Sequence, residues 1–192
     1  MEISKEIYGY ISLVLTFVSS LPYILSVWKG DTKPHFFSWV MWTIPSAIVF
    51  AGQSVSNAGA GSWAVGFTVI CNLIIVFYAA KYKDQITRSD WYFLFGGFAA
   101  IILWVITDNP LYAVILSTVI DVIGYGPTVR KSWAKPYEEN VLTNFLCVPK
   151  HICSILAMQD TSFVNVVFPY TMVVANCALG IFLLVRRWQQ KR

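Results

Sequence analysis

Residues 36–80 read FFSWVMWTIPSAIVFAGQSVSNAGAGSWAVGFTVICNLIIVFYAA, 45 positions without one charged side chain. A helix crosses the bilayer core with about 20 apolar residues, in a range of roughly 17–25. The run is therefore too long for one crossing and long enough for two. Its break falls at residues 56–62 (SNAGAGS), where glycine, asparagine and serine mark a turn.

The same reading extends outward. Residues 7–28, 91–107 and 161–185 are uncharged, while 111–128 carry one charge, Asp121, and 140–159 carry one, Lys150. The expectation is an all-α membrane protein of seven transmembrane helices, with short loops and nothing left for a soluble domain. Basic residues orient the helices. Lys29 and Lys33, Lys81, Lys83 and Arg88, Arg130, Lys131 and Lys135, and Arg186, Arg187, Lys191 and Arg192 follow helices one, three, five and seven. Lys5 stands alone on the opposite side, and Lys150 lies within a span. By the positive-inside rule the N-terminus is outside and the C-terminus cytoplasmic. Trp28, Trp133 and Trp188 fit the cytoplasmic interface belt. The expected location is a plasma or bacterial inner membrane, crossed many times.

Composition excludes several function classes. Of 192 residues, 14 are Lys or Arg and 10 are Asp or Glu; charged residues are 12%, about half the roughly 25% of a soluble domain. So few charges cannot cover a soluble fold, which argues against a soluble enzyme, a nucleic-acid binder and a disordered chain. The net charge of +4 is spread in short clusters between apolar runs. Cys71, Cys147, Cys153 and Cys177 sit in apolar runs without CxxC spacing, so neither a disulfide framework nor a metal site is expected. Residues 1–6 are acidic as well as basic, and the run after them is long enough to span, so it reads as a first helix rather than a leader.

The chain also repeats. A slide of 105 residues brings Ser12 onto Ser117, Pro22 onto Pro127 and Trp28 onto Trp133; a slide of 104 brings Pro45 onto Pro149 and Asn72 onto Asn176. The one-residue difference fits a deletion in the loop after the first helix of the unit. An odd-numbered unit copied directly would insert upside down, and an intervening helix restores its orientation. The expected plan is 3+1+3, with residues 1–82 a first three-helix repeat, 83–109 a linker helix four and 110–192 a second three-helix repeat, parallel about an axis normal to the membrane. Helix four has only the Tyr92 hydroxyl as a polar group before Thr107, and reads as a lipid-facing linker.

On these features the chain resembles the SWEET and PQ-loop (MtN3-like) superfamily of small seven-helix transporters. The resemblance spans nearly the whole chain. It rests on the 3+1+3 plan, the outside N-terminus, a proline in the first two helices of each repeat (Pro22, Pro45, Pro127, Pro149) and an asparagine in the third (Asn72, Asn176). It implies that the prolines are hinges for alternating access and that the paired asparagines contact substrate near mid-membrane. The Pro-Gln dipeptide of that superfamily is absent, since Tyr23 follows Pro22 and Thr128 follows Pro127.

Intramembrane polar side chains are costly and usually face the bundle interior. Ser12, Thr16, Ser19 and Tyr23 share one face of helix one; Ser117, Asp121, Gly124 and Thr128 share one of helix five; Asn140, Asn144, Cys147 and His151 share one of helix six. Thr68 and Asn72 lie on helix three, Asn165 and Asn176 on helix seven. Such stripes suit a hydrated pathway; hydrogen-bonded glue between helices is the plainer reading for Ser and Thr. Asn72 and Asn176 are the leading substrate contacts, because an amide both donates and accepts. Trp42, Thr68 and Asn144 complete the candidate substrate site. For Trp42 a flat wall beside a solute ring competes with simple packing. Asp121 and Lys150 each cost about 3 kcal/mol if isolated. Their simplest reading is an ion pair between helices five and six. The functional one, with His151, is a site that binds a charged solute or carries a proton. Proline removes a backbone hydrogen bond, so four at matched positions read as hinges.

The expected function is a transporter moving a small polar solute (a sugar, amino acid or vitamin-like molecule) by alternating access through a site between the repeats. The alternative is a seven-helix receptor of the same fold that binds a ligand without moving it. Retinal attachment would need an intramembrane lysine, and Lys150 lies in helix six rather than the last helix. An enzyme is not expected, since no Ser–His, metal-ligand or paired-carboxylate arrangement occurs within the spans. The expected partners are the lipid bilayer and a small-molecule solute, with protons as a candidate coupling ion and a second copy as a candidate homo-oligomer. No cofactor and no nucleic acid are expected.

Overall fold

The computed structural model describes residues 4–30, 36–81, 88–134, 136–138 and 141–191. Among them are seven α-helices: α1 Lys5–Lys29, α2 Phe36–Val55, α3 Trp63–Ala79, α4 Arg88–Thr107, α5 Pro110–Ala134, α6 Val141–Leu156 and α7 Phe163–Gln190. Two 3-10 turns, Gly59–Ser62 and Pro136–Glu138, complete the described elements, and no strand occurs among the described residues. The break expected at residues 56–62 is the turn that ends in α3. Among the described residues, three stretches are long and apolar enough to cross a membrane: Lys5–Lys29, Gly59–Ala79 and Phe163–Gln190. Phe98–Thr107, Pro110–Tyr125 and Asn144–Leu156 are shorter apolar helical stretches.

Local chemistry sets the helix ends. Gly30, at φ 82°, closes α1 in the left-handed conformation that costs glycine nothing, and its amide returns to the Val27 carbonyl at 3.1 Å. Pro110 opens α5, where its missing N–H is no loss. The side chain of Asn109 caps that end by accepting from the Leu111 amide at 2.9 Å. At the other end of α5, the Arg186 guanidinium of α7 donates to the Trp133 carbonyl at 2.7 and 3.2 Å and lies 4.3 Å from the Trp133 ring centroid. Gln190 donates to the Ala134 carbonyl at 3.0 Å. The last carbonyls of α5, which have no helical donor, are thus satisfied by α7.

Six helices close a ring in the order α1, α3, α2, α5, α7, α6 and back to α1. Each contact among them recurs when α1, α2 and α3 are exchanged for α5, α6 and α7: α1 with α3 matches α5 with α7, and α1 with α6 matches α5 with α2. Only α4 stands outside this exchange, packed on the seam between α2 and α5. A small cluster of Ile48, Ala100 and Ala113 holds it there. Its other face leaves Phe95, Phe98, Ile102, Val105 and Ile106 exposed.

The bundle has inverted polarity. Val14, Phe17, Leu73, Phe77, Val119, Ile123, Val174 and Ile181 are exposed on the outside, while Thr16, Gln53, Asn72, Lys150, His151, Asn165 and Asn176 are buried. A protein surrounded by water shows the opposite bias.

One end of the ring is sealed. Val49, Val65, Val114, Phe168 and Met172 pack across it as a core from α2, α3, α5 and α7. Beyond them, Ser154 of α6 donates to the Gly61 carbonyl at 2.6 Å, and the Gln159 amide donates to the Ala58 carbonyl at 3.0 Å. Pro169 explains a third link. Within α7 it supplies no N–H to the carbonyl four residues back, that of Asn165. The fully buried Gln53 of α2 donates its Nε2 to that carbonyl at 2.8 Å. The Asn165 amide in turn donates to Ser56 O at 2.8 Å and Asp160 O at 3.0 Å. Gln53→Leu should therefore orphan a buried carbonyl and cost about 1–3 kcal/mol. The expected readout is a lower Tm in detergent, partly recovered by adding Pro169→Ala, which restores the helical donor. If the second change brings no recovery, the assignment of that bond is wrong.

Candidate functional site

Below the sealed end the ring encloses a cavity of about 480 Å³. All eight side chains singled out for solute contact or coupling reach it. Trp42 comes from α2, Thr68 and Asn72 from α3, Asp121 from α5, Asn144, Lys150 and His151 from α6, and Asn176 from α7. The α3 pair is one helical turn apart, as is Asn144 from Cys147, so each helix presents a single face inward.

Their hydrogen bonds differ. The Thr68 hydroxyl donates to the Ala64 carbonyl at 2.8 Å and is left with acceptor lone pairs. Asn176 donates one N–H to the Met172 carbonyl at 2.8 Å, and its side chain also hydrogen-bonds Tyr125. Asn72, 6% exposed, makes no hydrogen bond to another described residue. His151 stands edge-on to Phe168, 5.9 Å between ring centroids, and its Nδ1 has no partner among the described residues. Trp42 is 41% exposed; its ring meets Trp39 edge-on at 5.2 Å, and Trp39 in turn lies 4.9 Å from Tyr23.

The expected ion pair would join helices that do not adjoin. It required α5 and α6 to be neighbours, but α7 lies between them. Asp121 and Lys150 both face the cavity, and among the described residues no ion pair joins them. The changes Asp121→Asn and Lys150→Met should accordingly add in a double-mutant cycle to within about 0.5 kcal/mol. A coupling energy well above that, read from unfolding in detergent, would show that the charges meet after all.

The polar stripes divide. Ser12, Thr16 and Ser19 donate to backbone carbonyls of their own helix, at 2.8, 2.8 and 3.0 Å, and none of them lines the cavity. Of the α1 stripe only Tyr23 does. Asn165 belongs to the sealed end instead. Asn140 lies outside the described residues, as do the side chains of Thr128 and Pro127. Pro22, Pro45 and Pro149 each lie inside a helix, Pro45 fully buried.

Several lining residues carried no signal in the sequence. Tyr125, Phe168 and Met172 read as ordinary apolar-run residues, yet they wall the cavity between Asp121 and His151. The Tyr125 hydroxyl has the Met172 sulfur at 3.9 Å. Gln53 and Pro169 could have been found by asking which buried donor serves a carbonyl that proline leaves bare. Chemically, the cavity offers three amides, one carboxyl, one ammonium, one imidazole and an aromatic and thioether wall. Among the described residues no cluster of three or more His, Cys, Asp or Glu side chains forms a metal site. No family model, no curated protein and no solved structure matches this chain.

Proposed function

We propose that this chain is a seven-span membrane transporter that moves a small polar solute through the central cavity by alternating access. One observation carries the reading. Polar and charged side chains from six helices converge on a single cavity inside a bundle whose outer surface is apolar. Intramembrane polar groups of this kind mark substrate pathways. The exchange symmetry of the ring contacts supports a 3+1+3 plan of parallel repeats, with α4 as the unpaired linker. It also supports the resemblance to SWEET and PQ-loop transporters, in which the site lies between two such units. The basic residues that follow α1, α3, α5 and α7 support a cytoplasmic C-terminus. In that orientation the sealed end faces outward. Pro22, Pro45, Pro127 and Pro149 would be the hinges, and protons, taken up through Asp121 or His151, the candidate coupling ion.

Tags fused at Met1 and Arg192 should be reached by protease from opposite faces of the membrane. Access to both from one face would overturn the orientation. The functional test is uptake into proteoliposomes of labelled sugars, amino acids and vitamins. A transporter fills the vesicles with at least one of them. A receptor of the same fold binds its ligand and leaves the lumen empty.

A further inference from the structure

The cavity is lined by one acidic and one basic side chain, carried on helices that do not adjoin. Asp121 comes from α5 and Lys150 from α6, with α7 between the two helices, and among the described residues neither makes an ion pair or hydrogen bond. An ionised group enclosed without a partner is costly, and an arriving counter-charge lowers that cost. A neutral polyol in the cavity could hydrogen-bond to both groups but would bring a counter-charge to neither. An anion would leave Asp121 alone, and a cation would leave Lys150 alone. An occupant with both signs resolves both.

Each pole has the neighbours that such an occupant needs. Asp121 lies one helical turn before Gly124, and the Trp42 indole nitrogen is 3.4 Å from where a Cβ on Gly124 would stand. The indole edge of Trp42 thus meets α5 one turn from Asp121, and both side chains line the cavity. A carboxyl next to an aromatic face recognises an ammonium by charge and by cation–π attraction. At the other pole, Asn72 has an uncommitted amide on α3, which touches α6. With the Lys150 ammonium this amide fits a carboxylate. Phe168, Met172 and Tyr125 supply an apolar wall. A cavity of about 480 Å³ is within the roughly 300–1,000 Å³ of small-molecule sites.

We infer that the solute is a zwitterionic amino acid with a bulky apolar side chain, its ammonium held by Asp121 and Trp42 and its carboxylate by Lys150 with Asn72. This rests on the transporter reading above. It specifies the solute class of the same site and sets it apart from a sugar.

The test is binding to the purified full chain, by titration calorimetry, of L-leucine, L-phenylalanine and L-tryptophan. Each is compared with its carboxamide, which lacks the carboxylate, and its N-acetyl derivative, which lacks the ammonium; glucose is the neutral probe. At least one amino acid should bind, with both derivatives weaker by about 10- to 100-fold. Asp121→Asn, checked for folding by its elution profile, should lose the preference over the N-acetyl compound while keeping that over the carboxamide. Lys150→Met should do the reverse. If a variant fails to fold, the ligand series on the native chain decides alone. Equal affinity for an amino acid and both derivatives overturns the zwitterion inference. So does binding of glucose while all three amino acids are silent, and that result leaves the transporter reading intact. Uptake of a vitamin or sugar with no amino acid bound has the same meaning. Absence of both binding and uptake across every probe overturns the two together.

Discussion

Gly61→Leu is expected to lower thermal stability more than any cavity-facing substitution. A Cβ at Gly61 would meet the Met158 side chain, stand 2.9 Å from the Ser154 carbonyl oxygen and 3.0 Å from Met158 Cα. Met158 can move its side chain, but two of these neighbours are backbone of the α6 end. The turn and α6 must then part. That breaks the bonds from Ser154 to Gly61 and from the Gln159 amide to Ala58. Overpacking alone costs about 1–3 kcal/mol, and each buried bond lost adds about 0.5–1.5 kcal/mol. Gly30→Ala is the useful contrast, because nothing lies within 4 Å of its Cβ position and only the φ of +82° opposes it; that change should cost about 1–2 kcal/mol. A Gly61→Leu protein as stable as the Gly30→Ala protein would mean that the two turns at the sealed end do not pack as described.

Asn72→Ala should separate binding from folding. Asn72 makes no hydrogen bond to another described residue, so its loss should leave Tm almost unchanged. Solute binding should weaken by about 10- to 100-fold, the usual effect of removing a hydrogen-bonding group that faces a charged ligand group. Asn176→Ala should weaken binding to the same degree and also cost about 0.5–1.5 kcal/mol of stability, because its bond to the Met172 carbonyl goes with it. Calorimetric titration and thermal unfolding on the same preparations read both quantities. Unchanged affinity in both variants would move the site away from the middle of the bundle.

Much of this was legible in the sequence for simple reasons. Charge-free runs reported where helices lie, because a charge inside a membrane span is rarely tolerated; residues 7–28 became Lys5–Lys29, and 161–185 became Phe163–Gln190. The SNAGAGS segment reported the turn, because glycine and asparagine take the left-handed backbone that Asn57 and Gly59 adopt at φ 56° and 60°. Single-face spacing grouped Asp121 with Gly124, and Asn144 with Cys147 and His151, and all five line the cavity. The spacing rule could not report which helix stands beside which. Helices five and six are consecutive in sequence but separated in space by α7, so an Asp121–Lys150 pair would have to reach across the cavity. The serines and threonines of α1 showed the same ambiguity from the other side. A hydroxyl on an inward face can bond to its own helix, and Ser12, Thr16 and Ser19 do. The link from Gln53 to Asn165 needed a tertiary contact between residues 112 positions apart, which no local pattern encodes.

The central claim is a cavity that opens to each side of the membrane in turn, and it can be tested without knowing the solute. Thr68 lines the cavity on α3. A single cysteine would be placed there in a chain whose own Cys71, Cys147, Cys153 and Cys177 are replaced. Membrane vesicles of both orientations would then be treated with a charged, impermeant thiol reagent. The transporter account predicts modification in right-side-out and in inside-out vesicles alike. Modification from one face only, at every time point, would contradict alternating access and leave a receptor cavity in its place.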